Sequence, residues 1–171
     1  MIIYKAPLTT LLMGGVVLTL SACASVEPAA PSSGLAATSA PAPVAGMDWY
    51  YHADSTQASL AYGRKDSDDL RLGLECSRGA GKLELSAVAP TGVREIHLES
   101  GGDTERFAAA GEPSELHDGD FLTATSKANE PVFQRFRRIG WLAQWQGDQR
   151  ETYAAHAASI PNIERFFVFC G

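Results

Sequence analysis

The strongest pattern in the chain is an alternation of apolar and polar positions between residues 70 and 87. Apolar residues occupy every second position from Leu70 to Cys76, and the alternation resumes from Leu83 to Ala87. A period of two predicts half-buried strands. Residues 77–81 between them read Ser-Arg-Gly-Ala-Gly, which is typical of a turn. The pattern therefore predicts a β-hairpin.

Weaker alternation predicts further strands. They are expected at Ile96 to Leu98, around Phe107, at Phe121 to Thr125, and at Arg150 to Ala154 after a Gly147-Asp148 turn. Val132 to Arg138 and Gly140 to Gln146 are predicted to form two more strands or one long bent strand, and Gly111 to Gly119 is rich in turn residues. Short strands at this spacing predict a mainly β fold, an antiparallel sandwich or barrel-like domain.

The C-terminal segment has a different period. After Ser159, a suitable N-cap residue, apolar residues from Ile163 to Cys170 fall on one helical face. This spacing predicts a short C-terminal helix packed across the sheet. A strand is the alternative, because the run Phe-Phe-Val-Phe at 166–169 favours β structure.

The N-terminus has the pattern of a secretory signal peptide. Lys5 precedes an apolar run at 8–20, which ends in Leu20-Ser21-Ala22-Cys23. A basic start, an apolar core and small residues before the cut are the elements of such a signal. A transmembrane helix over residues 2–22 is the alternative. It would leave the position of the cysteine unexplained.

The Leu20-Ser21-Ala22-Cys23 ending resembles the lipobox of bacterial lipoproteins. This resemblance implies cleavage after Ala22, a diacylglyceryl thioether on Cys23 and an acyl chain on the new amino group. Two or more chains hold a protein stably on a membrane. In lipoproteins of bacteria with two membranes, an aspartate after the cysteine implies retention at the inner membrane. Ala24 therefore favours the outer membrane, with the domain facing the periplasm or, alternatively, the cell surface.

Three regions follow from composition. Residues 1–22 are the predicted signal peptide, and residues 23–46 are the lipidated cysteine and a tether rich in Ala, Pro and Ser. The tether carries no aromatic residue and too little apolar surface to offset the entropy cost of ordering. An O-glycosylated stalk has a similar composition. Residues 47–171 are the length of a single β-rich domain.

Two cysteines remain once Cys23 carries lipid. In an oxidising compartment, Cys76 and Cys170 are expected to form one disulfide between an early strand and the C-terminus. A metal pair and two free thiols stay open as alternatives. No His-x-x-His or Cys-x-x-Cys spacing accompanies them.

Charge and motifs narrow the function classes. The chain carries 14 Lys and Arg against 20 Asp and Glu, a formal net charge of −6. An acidic domain argues against nucleic acid and against docking on anionic headgroups. No catalytic motif, cofactor motif or metal-ligand spacing is found, and the four histidines are scattered. The acidic segments 66–69 and 117–120 are interpreted as solvated turns rather than calcium loops. The chain is therefore predicted not to be an enzyme.

One stretch combines the residue types of a binding surface. The candidate binding residues are Arg135, Arg137, Arg138, Trp141 and Trp145. Arginine and tryptophan are enriched in binding hot spots, and an envelope protein or a glycan would suit them. The alternative is structural: the tryptophans fill the core and the arginines pair with carboxylates such as Glu84, Glu95 or Glu99.

A second resemblance bears on function. Ser100-Gly101, followed by the aromatic Phe107 in a small disulfide-closed β domain on a lipid anchor, resembles the membrane-bound inhibitors of c-type lysozyme. The tyrosine that this family carries close after the glycine is missing. Three functions are weighed: a non-catalytic binding or assembly module, an inhibitor of a foreign hydrolase such as lysozyme, and an envelope hydrolase.

The lipid anchor makes a direct prediction. Cys23→Ala removes the nucleophile that accepts the diacylglyceryl group, so it is expected to block both signal cleavage and incorporation of labelled fatty acid. Intact mass and label are read on the wild type and the variant, with Cys76→Ala as a control that keeps the lipobox. An unlabelled wild type of the variant's mass contradicts the prediction.

Overall fold

The computed structural model describes residues 40–116 and 118–171, where it shows nine strands and two helices. The elements are β1 (Met47–Ala53), β2 (Gln57–Arg64), β3 (Leu70–Ser77), β4 (Lys82–Ala89), β5 (Glu95–Ser100), β6 (Asp103–Pro113), β7 (Asp120–Lys127), α1 (Pro131–Ile139), β8 (Trp141–Gln146), β9 (Gln149–Ala154) and α2 (Ile160–Cys170). The predicted signal peptide, Cys23 and most of the predicted tether lie outside the described residues.

The strands form one antiparallel sheet in the order β1-β2-β3-β4-β7-β6-β5-β8-β9. The long strand β6 joins the two halves of this sheet. Residues 103–108 of β6 pair with β5, and residues 109–113 pair with β7. The sheet bends into a nearly closed, barrel-like shape, which confirms the predicted fold class.

The predicted hairpin is present as β3 and β4. Its ladder pairs Leu72 with Ala87 and Leu74 with Leu85, all of them buried. The glycine-rich segment between the strands forms the turn, as expected. The Gly147-Asp148 turn between β8 and β9 is confirmed as well, because Gln146 pairs with Gln149.

The strand predicted at Val132 to Arg138 is wrong, because this segment is helix α1. Pro131 lies in its first turn, where a missing N–H costs nothing. Gly140 ends the helix with φ 76° and donates its N–H to the Phe136 carbonyl. This left-handed position favours glycine. Gly140 therefore separates α1 from β8, so the alternative of one long bent strand is excluded too.

Two further differences concern strands. The sequence analysis assigned no strand to β1 or β2, although Ala58, Leu60 and Tyr62 alternate along β2 and are buried. The predicted turn-rich segment begins too early, because β6 continues to Pro113. Gly111 allows this: a Cβ there would lie 2.8 Å from both the Arg94 side chain and Leu122. Close packing across β6 and β7 requires its missing side chain.

The two helices cover the concave apolar face of the sheet. Phe136 of α1 packs against Trp49 of β1, with ring centroids 4.7 Å apart, and edge-on against Phe167 of α2 at 6.1 Å. All three side chains are almost fully buried. The predicted C-terminal helix is thus confirmed, and the strand alternative for 166–169 is excluded. Neither helix of the described part of the chain combines the length and the apolarity that a membrane crossing requires.

The predicted disulfide is present between β3 and the end of α2. Cys76 and Cys170 are bonded, with Cα atoms 5.7 Å apart and a sequence separation of 94. The N–H groups of Gly79 and Gly81 donate to the carbonyls of Phe169 and Cys170. The C-terminus of α2 is therefore held to the β3–β4 turn both covalently and by hydrogen bonds.

Loss of this disulfide is expected to destabilise the domain strongly. A bond that closes a loop of this length restricts the unfolded chain, which the entropy model puts at about 4 to 5 kcal/mol. Urea unfolding of a Cys76→Ser/Cys170→Ser variant measures the loss. Reductant should lower the free energy of unfolding of the wild type but leave that of the variant unchanged. Equal stability of the two proteins without reductant would show that the bond contributes nothing.

Candidate functional site

Five side chains form one surface on the outer face of β5, β8 and β9. We name it the outer aromatic patch, and its members are His97, Glu99, Trp141, Trp145 and Arg150. The strand register pairs Trp145 with His97 on one side and with Arg150 on the other. Leu98, Leu142 and Tyr153 point to the opposite side, into the main core. The patch therefore follows directly from alternation along three neighbouring strands.

Glu99 lies at the centre of the patch. Arg150 donates Nε–H and Nη2–H to its two carboxylate oxygens at 2.7 and 2.8 Å. Trp145 donates Nε1–H to Glu99 Oε2 at 2.7 Å. The Glu99 side chain is 8% exposed. A desolvated carboxylate is stable when charge-assisted hydrogen bonds satisfy it, so these three bonds hold β5, β8 and β9 in one geometry.

The aromatic rings are arranged around the same arginine. The Arg150 guanidinium lies 5.4 Å from the Trp141 ring and 6.0 Å from the Trp145 ring, within the range of cation–π contacts. His97 stacks on Trp145 with centroids 6.2 Å apart. Trp141 is buried, whereas Trp145 and His97 are half-buried. Trp145 and His97 are thus the aromatic members that present surface to solvent.

The charge state of the patch follows from these contacts. Hydrogen bonds from Arg150 and then Trp145 hold the pKa of Glu99 below its usual value despite burial, and Glu99 raises the pKa of Arg150. Desolvation, followed by repulsion from Arg106, lowers the pKa of His97. His97 Nε2 is buried without a hydrogen-bond partner. The imidazole is therefore neutral at pH 7, and the ion pair beside it stays charged.

The three predicted arginines lie on α1, not on a strand, and they point in different directions. Arg135 donates Nε–H to the Ser100 carbonyl at 2.8 Å and lies within 3.7 Å of Glu105. Arg137 donates two hydrogen bonds to Glu164 of α2. Arg135 and Arg137 lie on different sides of α1, because residues two apart on a helix diverge by about 200°. Arg138 is exposed and makes no ion pair within the described residues.

Arg135 is connected to the patch through Ser100, which is not one of its members. The Ser100 carbonyl accepts from Arg135, and the Ser100 hydroxyl donates to the Trp141 carbonyl at 2.9 Å. Of the predicted residues, the structure thus brings Trp141 and Trp145 together in the patch and leaves Arg135 beside it on α1. It turns Arg137 toward α2. Arg135 and Arg137 serve the packing of α1, as the structural alternative for the arginines expected.

Sequence reasoning missed three members of the patch. Arg150 could have been found, because a two-residue Gly147-Asp148 turn places it directly opposite Trp145. His97 and Glu99 carry no such signal, since the pairing of β5 with β8 is a long-range contact. The carboxylates proposed as partners of the α1 arginines were the wrong ones. Glu99 pairs with Arg150, and Glu95 pairs with Arg106.

Two carboxylates of the acidic turns, those of Asp69 and Asp120, contact other groups of the protein, whereas Asp66, Asp68 and Asp118 are exposed. Asp69 lies 3.0 Å from Arg71, and Asp120 accepts hydrogen bonds from Arg94 and from the Gly92 N–H. Asp120 is buried, so its interpretation as a solvated turn residue is wrong. Within residues 40–116 and 118–171, no group of three or more His, Cys, Asp or Glu is arranged to hold a metal ion. His117 lies outside the described residues.

Comparison of the chain with protein-family models, with curated proteins and with solved structures finds no match. The function must therefore be argued from the residues and their geometry.

The Glu99–Arg150 pair is expected to make stability depend on pH. Because the folded-state pKa of Glu99 is lowered, its contribution is complete above the ordinary value of 4.5 and is lost as pH falls through the folded-state value. Glu99→Gln should lower the free energy of unfolding by about 1 to 3 kcal/mol at pH 7. Urea titrations between neutral pH and pH 3 should show that this difference shrinks on acidification. Glu112→Gln, an exposed change on β6, is the control, and a difference independent of pH would contradict the prediction.

Proposed function

We propose that this chain is a lipid-anchored, non-catalytic binding module of the bacterial cell envelope, and that the outer aromatic patch is its contact surface. One observation carries the proposal: a half-buried Trp145–His97 pair lies on the outer face of the sheet and is held in place by the Glu99–Arg150 pair. Aromatic side chains fixed before binding lose little entropy when a partner docks. A patch of fixed aromatic rings suits a protein surface or a sugar ring.

The anchor and the acidic composition complete the proposal. A lipid on Cys23 and a tether up to residue 46 would hold the domain at the outer membrane, where envelope proteins and peptidoglycan are within reach. The stacking chemistry of Trp145 suits the apolar face of a sugar, and the Arg150–Glu99 and Arg106–Glu95 pairs beside it offer polar groups to sugar hydroxyls. The partner class is therefore an envelope protein or a glycan, not nucleic acid.

The alternative is an inhibitor of a foreign hydrolase. It rests on the resemblance at Ser100-Gly101 and Phe107. Ser100 is buried, and the Phe107 ring stacks on Phe133 of α1 at 5.7 Å. These residues face the protein itself, so our proposal puts the contact surface on the outer face of the sheet instead. An envelope hydrolase is the third candidate, and no geometry described above favours it.

Truncation of Trp145 tests the proposal. The full chain, purified in detergent, is presented to peptidoglycan sacculi, to c-type lysozyme and to a cross-linked envelope extract. Trp145→Ala should weaken retention on the true partner at least about tenfold, as removal of a hot-spot ring does. Phe121→Ala removes a comparably exposed ring from β7 and should have no effect.

Two further arms make the test decisive. Arg135→Gln/Arg137→Gln should lower the melting temperature, since both side chains join α1 to its neighbours, and leave retention by the folded protein unchanged. A folded Trp145→Ala variant that retains every wild-type partner at wild-type strength overturns the proposal. Capture of lysozyme with loss of its activity would favour the inhibitor instead.

A further inference from the structure

A cavity lies at an irregularity in the sheet, on the other side of β9 from the outer aromatic patch. Tyr62 of β2 pairs with Leu72 of β3, but the next residue, Gly63, pairs with Leu70. Arg71 is therefore an extra residue in β3, a β-bulge. Bulges re-aim side chains, and the described ladder between β3 and β4 also stops at Leu72 and Ala87. The two strands separate beyond this point.

Side chains of the other half of the sheet fill part of the opening. Gln144 and Gln146 of β8 each donate an amide N–H to the Val88 carbonyl of β4, at 3.2 and 2.9 Å. What remains is a cavity of about 450 Å³. We name it the bulge cavity, and its polar lining comes from Arg71, Thr91, Asp118, Gln146, Glu151 and Tyr153. A cavity of this size accommodates a small molecule.

The polar groups around the bulge cavity are incompletely satisfied. Tyr62, whose ring packs 4.9 Å from that of Tyr153, has a buried hydroxyl without a hydrogen-bond partner. Arg71 Nε is buried and forms an ion pair with Asp69 Oδ1 at 3.0 Å that lacks hydrogen-bond geometry. Tyr153 has one proton but faces two acceptors, Gln144 Oε1 at 3.0 Å and Glu151 Oε2 at 3.2 Å. Unmet hydrogen-bonding capacity in a native protein calls for a partner.

The charges are divided in a way that specifies the partner. Arg71 lines the same cavity as two carboxylates, Glu151 and Asp118, and among the described residues its ion-pair partner is neither of these but Asp69. A guanidinium binds a carboxylate in a planar, two-point geometry. A carboxylate accepts hydrogen bonds from an ammonium group. A ligand that carries both groups would bridge the gap.

We propose that the bulge cavity binds a small zwitterion, either an α-amino acid or a dipeptide. Its carboxylate contacts Arg71, its ammonium group contacts Glu151 beside Asp118, and the amide of Gln146 and the hydroxyl of Tyr153 contact its polar backbone. This site is separate from the outer aromatic patch, because Arg150 points outward from β9 while Glu151 and Tyr153 point to the cavity. It goes beyond the proposed function and does not depend on it.

Calorimetric titration of the full chain in detergent tests this site. The probes are alanine, the dipeptide Ala-Ala, the same dipeptide acetylated at its amine or amidated at its carboxyl, and glucose as a neutral polyol. Binding of alanine or Ala-Ala is expected with Kd of about 0.1 to 1 mM, and each blocked form should bind at least about tenfold more weakly. Tighter binding of alanine identifies a free amino acid as the ligand. Tighter binding of Ala-Ala identifies a dipeptide.

Variants that remove one charge test which group of the ligand Arg71 and Glu151 each contact. Arg71→Gln should abolish the penalty for blocking the carboxyl, and Glu151→Gln should abolish the penalty for blocking the amine. Arg138→Gln and Glu112→Gln change exposed charges elsewhere and should leave affinity unchanged, as should Trp145→Ala. Wild-type chain that binds none of these zwitterions at about 10 mM, or binds the blocked peptides or glucose as well as Ala-Ala, overturns the proposal.

Discussion

Trp49 is the residue on which the closed shape of the sheet depends. Its indole N–H donates to the Tyr153 carbonyl at 3.0 Å, and this bond links the two ends of the strand order, β1 and β9. The same ring packs on Phe136 of α1 and on Tyr62 of β2. Its own carbonyl accepts from Asn162 of α2. One fully buried side chain thus joins both sheet edges to both helices, so its removal would cost a large cavity and unsatisfied polar groups together.

Closure of the sheet decides what each strand can present. Because β6 pairs with β5 over its first half and with β7 over its second, the strands β5, β8 and β9 turn back over the first half of the sheet. Their inner side chains then complete the core and reach Val88. Their outer side chains form the aromatic patch. Strand β9 contributes to both surfaces: Arg150 to the patch, and Glu151 and Tyr153 to the bulge cavity. A partner at either surface therefore meets side chains already held by the sheet.

Several arginines of this acidic domain form ion pairs within the protein. Arg94 satisfies buried Asp120, Arg137 joins α1 to α2 through Glu164, and Arg150 satisfies Glu99. Arg135 and Arg137, two of the three predicted binding arginines, also make contacts within the protein. Arg150 lies within 6.0 Å of two indole rings. Arginine content in the sequence is thus less informative than the identity of each arginine's partner.

Local chemistry was sufficient for the elements whose evidence is local. The β3–β4 hairpin, the β8–β9 turn, the C-terminal helix and the Cys76–Cys170 bond were predicted from alternation, glycine positions, helical spacing and cysteine count. Helix α1 was missed because Val132, Phe133 and Phe136 suit a strand as well as a helix, although Pro131 and Gly140 bracket the segment. The patch and the cavity could not be predicted. Glu99 pairs with Arg150, and Arg71 and Glu151 line one cavity, across strands brought together by closure of the sheet, and no local propensity specifies an arrangement of that range.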